Sequence, residues 1–330
     1  MAKRIFNPLV LLILLLGLTA QARKANVRRL LPAKGSYRSN VVYKHTPQGA
    51  LCLDIYHPDT TQTGQHVPLV VFIHGGSWMH GNKGEILEHF QSQMLKSMLD
   101  DGIAVISINY RLANDSLTVT YPAPLSDCKD AVRWVRANAE SLHIDPSRIG
   151  VMGTSAGGHL AMLTAYAPDS LAPEKSNLST HSAAVKCCVD IYGPTHLGKM
   201  LRPTLTPTAV ALASIFMGKQ TIKMRQTLLW SFTGESSSHP WKRQRKCSMY
   251  SPLSYVCTAV PTLTFHGNKD RTVPFNQSKM LKQAMDKQGK YMELTTIDGQ
   301  DHTFPTISEA RISAMCAQLV TFLNQYLKGQ

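Results

Sequence analysis

The segment around Ser155 constrains the fold of this 330-residue chain more than any other. Residues 149–152 are mostly apolar and predict a short buried strand, whereas residues 156–166 are rich in helix formers and predict a helix. In the turn between them, Gly153 and Gly157 flank the serine in the pattern G-x-S-x-G. A turn this sharp strains its central residue and leaves no space for side chains two residues away. The pattern therefore favours Ser155 as an exposed nucleophile over an incidental serine in a glycine-rich loop.

The rest of the chain alternates apolar runs with amphipathic segments. Strands are predicted at residues 41–43, 51–56, 68–73, 103–108, 183–191, 260–265 and 292–297, and helices at residues 85–99, 128–139, 277–288 and 312–327. Such alternation is typical of an α/β fold, in which helices cover both faces of a mostly parallel sheet. Residues 195–250 break it with apolar patches among polar loops. They predict a small cap insertion over the carboxyl ends of the strands, with a segment of no fixed structure as the alternative.

A second informative loop, His74-Gly75-Gly76-Ser77-Trp78, follows a predicted buried strand. Paired glycines at such a position allow backbone N–H groups to turn inward and approach a ligand closely. The N–H of Ala156 lies at the predicted start of a helix, whose dipole favours negative charge. The loop and Ala156 together fit a site for a developing oxyanion. An ordinary tight turn is the simpler interpretation of the loop taken alone.

A serine hydroxyl needs a base within hydrogen-bond distance, and that base needs a partner that fixes its tautomer. His302 lies on the loop after the last predicted strand, where it can reach the carboxyl edge of the sheet. Asp270 follows the preceding strand and is the first choice of acid, with Asp298 and Asp301 as alternatives. Ser155, Asp270 and His302 occur in this order, each after a predicted strand, and that order indicates a triad more strongly than any one residue.

With these residues in place, the sequence resembles the α/β-hydrolase superfamily, and within it the secreted esterase and lipase branch with an H-G-G-x-W loop, close to acetyl-xylan and feruloyl esterase-like enzymes. The resemblance covers about residues 41–328. It rests on residues 53–56, 74–78, 109–111, 127 with 134, 153–157, 192–194, 266–274 and 302. It implies an α/β-hydrolase fold with a mostly parallel central sheet, helices on both faces and a small cap.

The resemblance also implies a role for each site residue. Ser155 is the expected nucleophile, His302 the general base and then acid, and Asp270 the carboxylate that orients the imidazole. The oxyanion hole is expected from three backbone N–H groups, those of Gly76, Ser77 and Ala156. The implied activity is that of a serine carboxylesterase acting on short-chain acyl or feruloyl esters of a small-molecule or carbohydrate alcohol, and it requires no metal or organic cofactor.

Two residues depart from the family pattern. His196 stands where relatives often carry aspartate, and Asp301 precedes His302 where a small residue is common. We expect both to alter the pocket rather than the reaction.

A serine peptidase of the prolyl-oligopeptidase type is one alternative function, although the chain leaves no room for the propeller domain of such enzymes. A non-catalytic binding protein of the same fold is the other, and it is expected to lack a triad or oxyanion residue, whereas none is missing here.

The N-terminal 22 residues are typical of a secretion signal. Two basic residues precede an apolar run at residues 8–18, and Ala20-Gln21-Ala22 supplies the small residues that a signal peptidase reads. The run is shorter than the roughly twenty apolar residues that span a bilayer. We therefore expect a secreted or periplasmic protein without stable membrane insertion after cleavage, with a retained N-terminal anchor as the alternative. Residues 23–40 are expected to form a flexible leader, and residues 41–330 the hydrolase domain.

The net charge and the cysteine content limit which binding partners and which disulfides are expected. The net charge is +14, and basic residues concentrate at residues 23–29 and 242–246. No aromatic interleaving or nucleic-acid-binding motif accompanies them, so we expect no nucleic acid as partner, whereas an acidic polysaccharide stays open. Seven cysteines, an odd number without C-x-x-C or metal-ligand spacing, leave at least one thiol either free or paired with another molecule. Cys247 and Cys257 are the first pair to test for a disulfide.

Overall fold

The computed structural model describes residues 27–58, 66–114, 116, 118–172, 177–202, 219–233 and 239–330. Its centre is an eight-stranded sheet in the order β1-β2-β4-β3-β5-β6-β7-β8. The strands are β1 (Ser36–Thr46), β2 (Gly49–His57), β3 (Val67–Ile73), β4 (Ala104–Ile108), β5 (Ile144–Thr154), β6 (Cys188–Ile191), β7 (Thr262–Gly267) and β8 (Met292–Ile297). Strands β3 to β8 are parallel, whereas β2 pairs antiparallel with both β1 and β4. The predicted α/β fold with a mostly parallel sheet is confirmed.

Helices fill most of the connections between strands. In the described part of the chain they are α1 (His89–Asp100), α2 (Ala123–Ala137), α3 (Ala156–Tyr166), α4 (Leu197–Leu201), α5 (Lys219–Thr233), α6 (Pro240–Met249), α7 (Asn276–Lys287) and α8 (Glu309–Leu323). Short 3-10 turns occur at Lys83–Leu87, Asp169–Leu171 and Pro252–Thr258, and a π-helical turn at Asn324–Lys328 follows α8. None of the helices seen in these residues has the length and apolar character that crossing a bilayer requires.

The two faces of the sheet carry separate hydrophobic cores. Alternate residues of β3 point to opposite sides, so Val70 and Phe72 belong to one core and Leu69 and Val71 to the other. The first core is closed by α1 and α8, and the second by α2, α3 and α7. Each fully buried leucine- or phenylalanine-sized side chain contributes about 1.5–3 kcal/mol. The strands are thereby fixed from both sides, and the loops that leave their carboxyl ends are held on a rigid base.

The N-terminal part of the domain differs from the prediction. Residues 23–40 were expected to be a leader, but β1 already begins at Ser36 and pairs with β2 as far as His57. Val27 is 1% exposed and belongs to the core under α1 and α8. The leader prediction is therefore wrong from Val27 onward, because the strand uses polar residues on its outer face that give no apolar alternation. The predicted signal at residues 1–22 lies outside the described residues.

Two predicted elements are shorter than expected. The strand predicted at residues 183–191 is reduced to Cys188–Ile191, and before it the guanidinium of Arg136 donates to the carbonyls of Ser182 and Ala184. The helix predicted at residues 85–99 is interrupted at Glu88, whose backbone is extended between the 3-10 turn and α1. Neither change moves the carboxyl ends of the strands.

All seven cysteines lie in the described residues as free thiols. Cys247 is buried and Cys257 is exposed, so the pair named for a first disulfide test is not bonded. Cys187 and Cys188 are both buried in the sheet, and burial raises the pKa of the Cys187 thiol to about 12. These thiols are packing groups rather than reactive ones.

Candidate active site

Ser155 occupies a strained turn between β5 and α3. Its backbone has φ 52° and ψ −119°, a left-handed conformation that residues other than glycine rarely adopt. A Cβ at Gly153 would overlap the carbonyl of Gly157, and a Cβ at Gly157 would overlap the carbonyl of Ile73. The N–H of Ser155 donates to the carbonyl of Ile191 at 2.8 Å, which ties the turn to β6. The hydroxyl is thereby presented, half-buried, above the end of the sheet.

Ser155, His302 and Asp270 come together at the carboxyl edge of the sheet. His302 Nε2 lies 3.0 Å from Ser155 Oγ, and His302 Nδ1 lies 2.7 Å from Asp270 Oδ2. A carboxylate only accepts hydrogen bonds, so Nδ1 carries the proton and Nε2 is free to accept from the serine hydroxyl. In the chain, Ser155 lies 147 positions before His302 and Asp270 lies 32 positions before it. The geometry is that of a nucleophile, a base and an orienting acid.

Asp270 is held in its ionised form. Burial alone would raise the pKa of its carboxyl, but hydrogen bonds from His266 and His302 and from the Val273 N–H hold that pKa well below its ordinary range. Its Oδ1 accepts from the N–H groups of Thr272 and Val273, both at 2.8 Å. His266 Nε2 approaches Oδ2 at 3.2 Å from the other side. The carboxylate therefore stays charged and correctly oriented toward the imidazole.

The two alternative acids have other partners. Asp298 is exposed and accepts from the side chain of Asn268 at 3.0 Å. Asp301 accepts from the Arg271 N–H and guanidinium at 2.9 and 2.7 Å, and from the backbone N–H of His302 at 2.8 Å. Asp301, which departs from the family pattern, therefore joins the loops that carry Asp270 and His302.

His196, the other departure, caps the short helix α4. Its Nδ1 accepts from the Lys199 N–H at 3.4 Å, and its own N–H donates to Gln277 Oε1 at 2.7 Å. Burial and the Lys199 charge lower the pKa of this imidazole. His196 therefore has a local structural role and takes no part in the bonds between the serine, the histidine and the acid.

The expected oxyanion donors line the other side of Ser155. Gly76, Ser77 and Trp78 have successive φ values of 96°, 54° and 60°, so the loop after β3 is left-handed over three residues. None of the hydrogen bonds formed within the described residues uses the N–H of Gly76, Ser77 or Ala156. Ala156 is the first residue of α3, where the helix dipole adds positive potential. The arrangement leaves backbone donors available beside the nucleophile.

Glu85 links the loop after β3 to the end of β5, and no sequence motif identified it. Its Oε2 accepts from the Gly75 N–H at 2.9 Å, while its Oε1 accepts from the hydroxyl of Thr154, the residue before Ser155. Burial raises the pKa of this carboxyl. Its partners lie 10 and 69 positions away in the chain, so only the folded structure reveals the bridge.

His159, on α3, is a second residue that the sequence did not identify. Its Nδ1 accepts from the Trp78 indole N–H at 3.2 Å, and its Nε2 lies 2.7 Å from the Tyr250 carbonyl. It is fully buried, and burial lowers the pKa of its imidazole to about 3. One of thirteen histidines, it carries no local signal except its position four residues after Ser155.

Comparisons with known proteins agree with this geometry. The family model BD-FAE matches residues 53–285, well over half of the chain. The chain belongs to the BD-FAE family of α/β-hydrolase esterases. Esterase LipC of Mycobacterium tuberculosis is 28% identical over 299 residues, which are 88% of this chain and 65% of LipC. The non-reducing polyketide synthase atr1 of Stereocaulon alpinum is 24% identical, over 88% of this chain but only 13% of the synthase.

Among solved structures, Thermogutta terrifontis esterase 2 with bound propionate is similar to this BD-FAE protein. It is 25% identical with a TM-score of 0.65, and the match covers 90% of this chain and 94% of the esterase. The α/β-hydrolase fold expected from the sequence is therefore confirmed. The curated relatives are longer, since the chain spans less than two thirds of the length of LipC and of the synthase.

The BD-FAE site opens into a cavity of about 480 Å³. Its described lining combines the loop of the expected oxyanion donors (residues 74–78, the oxyanion loop), the start of α1 and the loop of His302. The described lining residues are Gly75, Gly76, Ser77, Glu85, Glu88, His89, Phe90, Gln91, Thr154, Ser155, Tyr192, Thr272, His302, Thr303 and Pro305. The described lining residues all come from outside the predicted cap at 195–250. Within that insertion, Phe232 of α5 packs edge-on against Trp78, with ring centroids 5.1 Å apart.

Proposed function

We propose that this protein is a serine carboxylesterase that hydrolyses short-chain acyl esters through an acyl-enzyme. The observation that carries the proposal is the continuous set of contacts from Asp270 to His302 to Ser155, at 2.7 and 3.0 Å. Membership of an esterase family supports the reaction class. The relative that was solved with propionate supports a short acyl group.

In the first step the Ser155 oxygen attacks the ester carbonyl carbon while its proton passes to His302 Nε2. The carbonyl oxygen becomes an oxyanion and accepts from the backbone N–H groups of Gly76, Ser77 and Ala156. The alcohol then leaves with the proton from Nε2, and the acyl group stays on the serine. In the second step His302 takes a proton from water, the resulting hydroxide equivalent attacks the acyl carbon, and the acid is released as the serine regains its proton.

The ionised Asp270 stabilises the imidazolium that forms in both steps. Its carboxylate keeps its charge because four donors surround it, those of His266, His302, Thr272 and Val273. A neutral partner would let the imidazole turn or adopt the other tautomer, in which Nε2 carries the proton and cannot accept one. The esterase reaction therefore depends on the charge of Asp270.

The lining of the cavity supports a polar alcohol as leaving group. Glu88, His89, Gln91, Thr272 and Thr303 bring charged and hydrogen-bonding groups to its lining, and the apolar residues Phe90, Tyr192 and Pro305 also line it. We therefore propose an alcohol rich in hydroxyl groups, with a carbohydrate as the first class to test. The acyl group, acetyl or feruloyl, is to be decided by assay. We also propose that the signal-like N-terminus directs secretion or export to the periplasm.

The experiment compares wild-type protein with Ser155→Ala on p-nitrophenyl acetate, butyrate and octanoate. We expect activity that falls with chain length and is lost by several orders of magnitude in the variant. p-Nitroanilides of short peptides serve as the amide arm. Hydrolysis of amides but not esters would favour the peptidase alternative, and no hydrolysis of either would favour a binding protein. Active wild-type protein is then tested on acetylated and feruloylated sugars.

A further inference from the structure

The oxyanion loop has an unusual backbone that needs to be held in place. Ser77 and Trp78 both have positive φ, at 54° and 60°, a conformation that residues other than glycine rarely adopt. Such a conformation persists only where surrounding contacts fix it. The loop carries two of the three expected oxyanion donors. What fixes Trp78 therefore also fixes the position of the N–H groups of Gly76 and Ser77.

Trp78 is anchored by its side chain. The indole is 2% exposed, and its N–H donates to His159 Nδ1 at 3.2 Å. The carbonyl of Trp78 accepts from the Ala113 N–H at 2.8 Å. Phe232 meets the indole edge-on, with ring centroids 5.1 Å apart. The loop is thus attached through one aromatic side chain to α3 and to the insertion.

The tautomer of His159 follows from its bonds to Trp78 and Tyr250, and the Tyr121 hydroxyl also lies 3.4 Å from Nδ1. The indole N–H only donates and the Tyr250 carbonyl only accepts, so Nδ1 must be unprotonated and Nε2 must carry the proton. The imidazole is fully buried and remains neutral near pH 7, since burial lowers its pKa to about 3. Its backbone N–H donates to the carbonyl of Ser155 at 3.0 Å within the first turn of α3. His159 therefore joins the oxyanion loop and the residue after α6 through its side chain, and the nucleophile turn through its backbone N–H.

We propose that His159 is a positioning residue. Its bond to Trp78 holds the oxyanion loop at the correct distance from Ser155. Its bond to the Tyr250 carbonyl transmits the position of the insertion. This inference rests on the proposed esterase function. It assigns His159 no contact with substrate. Its loss displaces the Gly76 and Ser77 donors, so it lowers transition-state stabilisation more than substrate binding.

The experiment measures kcat and KM for p-nitrophenyl butyrate in His159→Leu, His159→Gln and Trp78→Phe. His159→Leu should lower kcat roughly 10- to 100-fold, less than the hundred- to thousandfold loss that follows removal of a donor itself, with KM changed less than about threefold. Glutamine offers an acceptor and a donor at similar positions, so His159→Gln should recover most of the loss. Trp78→Phe keeps a six-membered aromatic ring but loses the pyrrole ring with its N–H, and the double variant with His159→Leu should be no slower than the slower single variant.

A transition-state readout separates positioning from folding. An alkyl boronic acid forms a tetrahedral adduct on the serine, and its affinity should fall by the same factor as kcat in His159→Leu. His57→Leu is the matched control, because His57 is also a buried histidine, 4% exposed, but lies at the end of β2, near the amino ends of the parallel strands. We expect it to lower Tm without changing kcat. If His159→Leu does not fold, kcat and boronic-acid affinity are measured for Trp78→Phe instead.

Two results would overturn the inference. One is a His159→Leu or Trp78→Phe protein that keeps wild-type kcat and boronic-acid affinity and shows only a lower Tm. The other is full additivity of the two substitutions, which would mean that they act independently. Wild-type protein that hydrolyses no ester would instead overturn the proposed function itself, so the two failures are distinguishable.

Discussion

The two walls of the cavity around Ser155 are built from different interactions. On one wall, side chains contact each other directly, from Asp270 to His302 to the serine hydroxyl. On the other wall the expected oxyanion donors are backbone N–H groups, and partly or fully buried side chains bond to the loop that carries two of them. Glu85 accepts from the Gly75 N–H and His159 accepts from the Trp78 indole.

The difference separates residues that react from residues that position. In the proposed mechanism Ser155 forms a bond, His302 exchanges a proton, and Asp270 orients and stabilises the imidazole that does so, so removal of any of the three disables proton transfer or bond formation. A side chain on the second wall changes only where a donor lies, and its removal weakens a hydrogen bond that other groups still share. We therefore expect the largest losses from the triad, intermediate losses from Glu85 and His159, and small losses from exposed pairs at the rim.

Asp270→Asn breaks the first wall. We expect kcat to fall by about 10³- to 10⁴-fold with little change in KM, since an amide facing His302 favours the wrong tautomer. Asp298→Asn is the matched control, because this aspartate is exposed and bonds to Asn268, and it should keep wild-type kcat. Equal loss in the two variants would contradict the choice of Asp270 as the acid.

Thermal unfolding of Asp270→Asn adds a pH test. The folded-state pKa of Asp270 is depressed, so its carboxylate contributes stability that is present above the ordinary aspartate pKa of about 3.9 and is lost as pH falls toward the lower folded value. The wild type should therefore exceed the variant in Tm at pH 7, and the difference should shrink below about pH 4. A difference independent of pH would show that the carboxylate is not held in its charged form.

Glu85→Gln tests the second wall. Glutamine keeps one acceptor for the Gly75 N–H, so we expect kcat to fall by no more than about tenfold. Burial raises the folded-state pKa of Glu85, so its stabilising effect is complete below the ordinary glutamate pKa of about 4.3 and is lost as pH rises through the folded value. The Tm of the variant should therefore rise relative to the wild type as the pH increases above about 4.3.

Arg271→Ala tests the exposed ion pair between Arg271 and Asp301. Arg271 binds Asp301 at 2.7 Å, but its side chain is 88% exposed, and exposed pairs contribute about 0–1 kcal/mol. We expect kcat/KM within about threefold of the wild type, because the Asp301 carboxylate still accepts from the His302 N–H. A loss of a hundredfold would place this loop pair among the residues that position His302.

The same division explains what the sequence revealed. Ser155 was predictable because the glycines that permit its turn lie within two residues of it, and His302 and Asp270 because each follows a recognisable strand. Asp270 was the first choice of acid from the sequence, but its distance to His302 and the different partners of Asp298 and Asp301 depend on contacts between loops 30 residues or more apart. The catalytic roles stay predictions until they are assayed.

Glu85 and His159 were not predictable, for a physical reason. Each is defined by partners from other elements, Thr154 for the first and Trp78 and Tyr250 for the second, at separations of 69, 81 and 91 residues. Periodicity reports only which face of an element is buried, not which buried polar group it meets. The early start of β1 was missed because exposed polar residues interrupt its apolar pattern.

The most direct test of the account is the mass of the protein during turnover. Wild-type protein mixed with excess p-nitrophenyl butyrate and quenched in acid should carry one butyryl group, which peptide mapping places on Ser155. Ser155→Ala should carry none. An adduct on any other residue, or hydrolysis by wild-type protein at full rate without an adduct and without an initial burst of p-nitrophenol, would contradict the two-step mechanism.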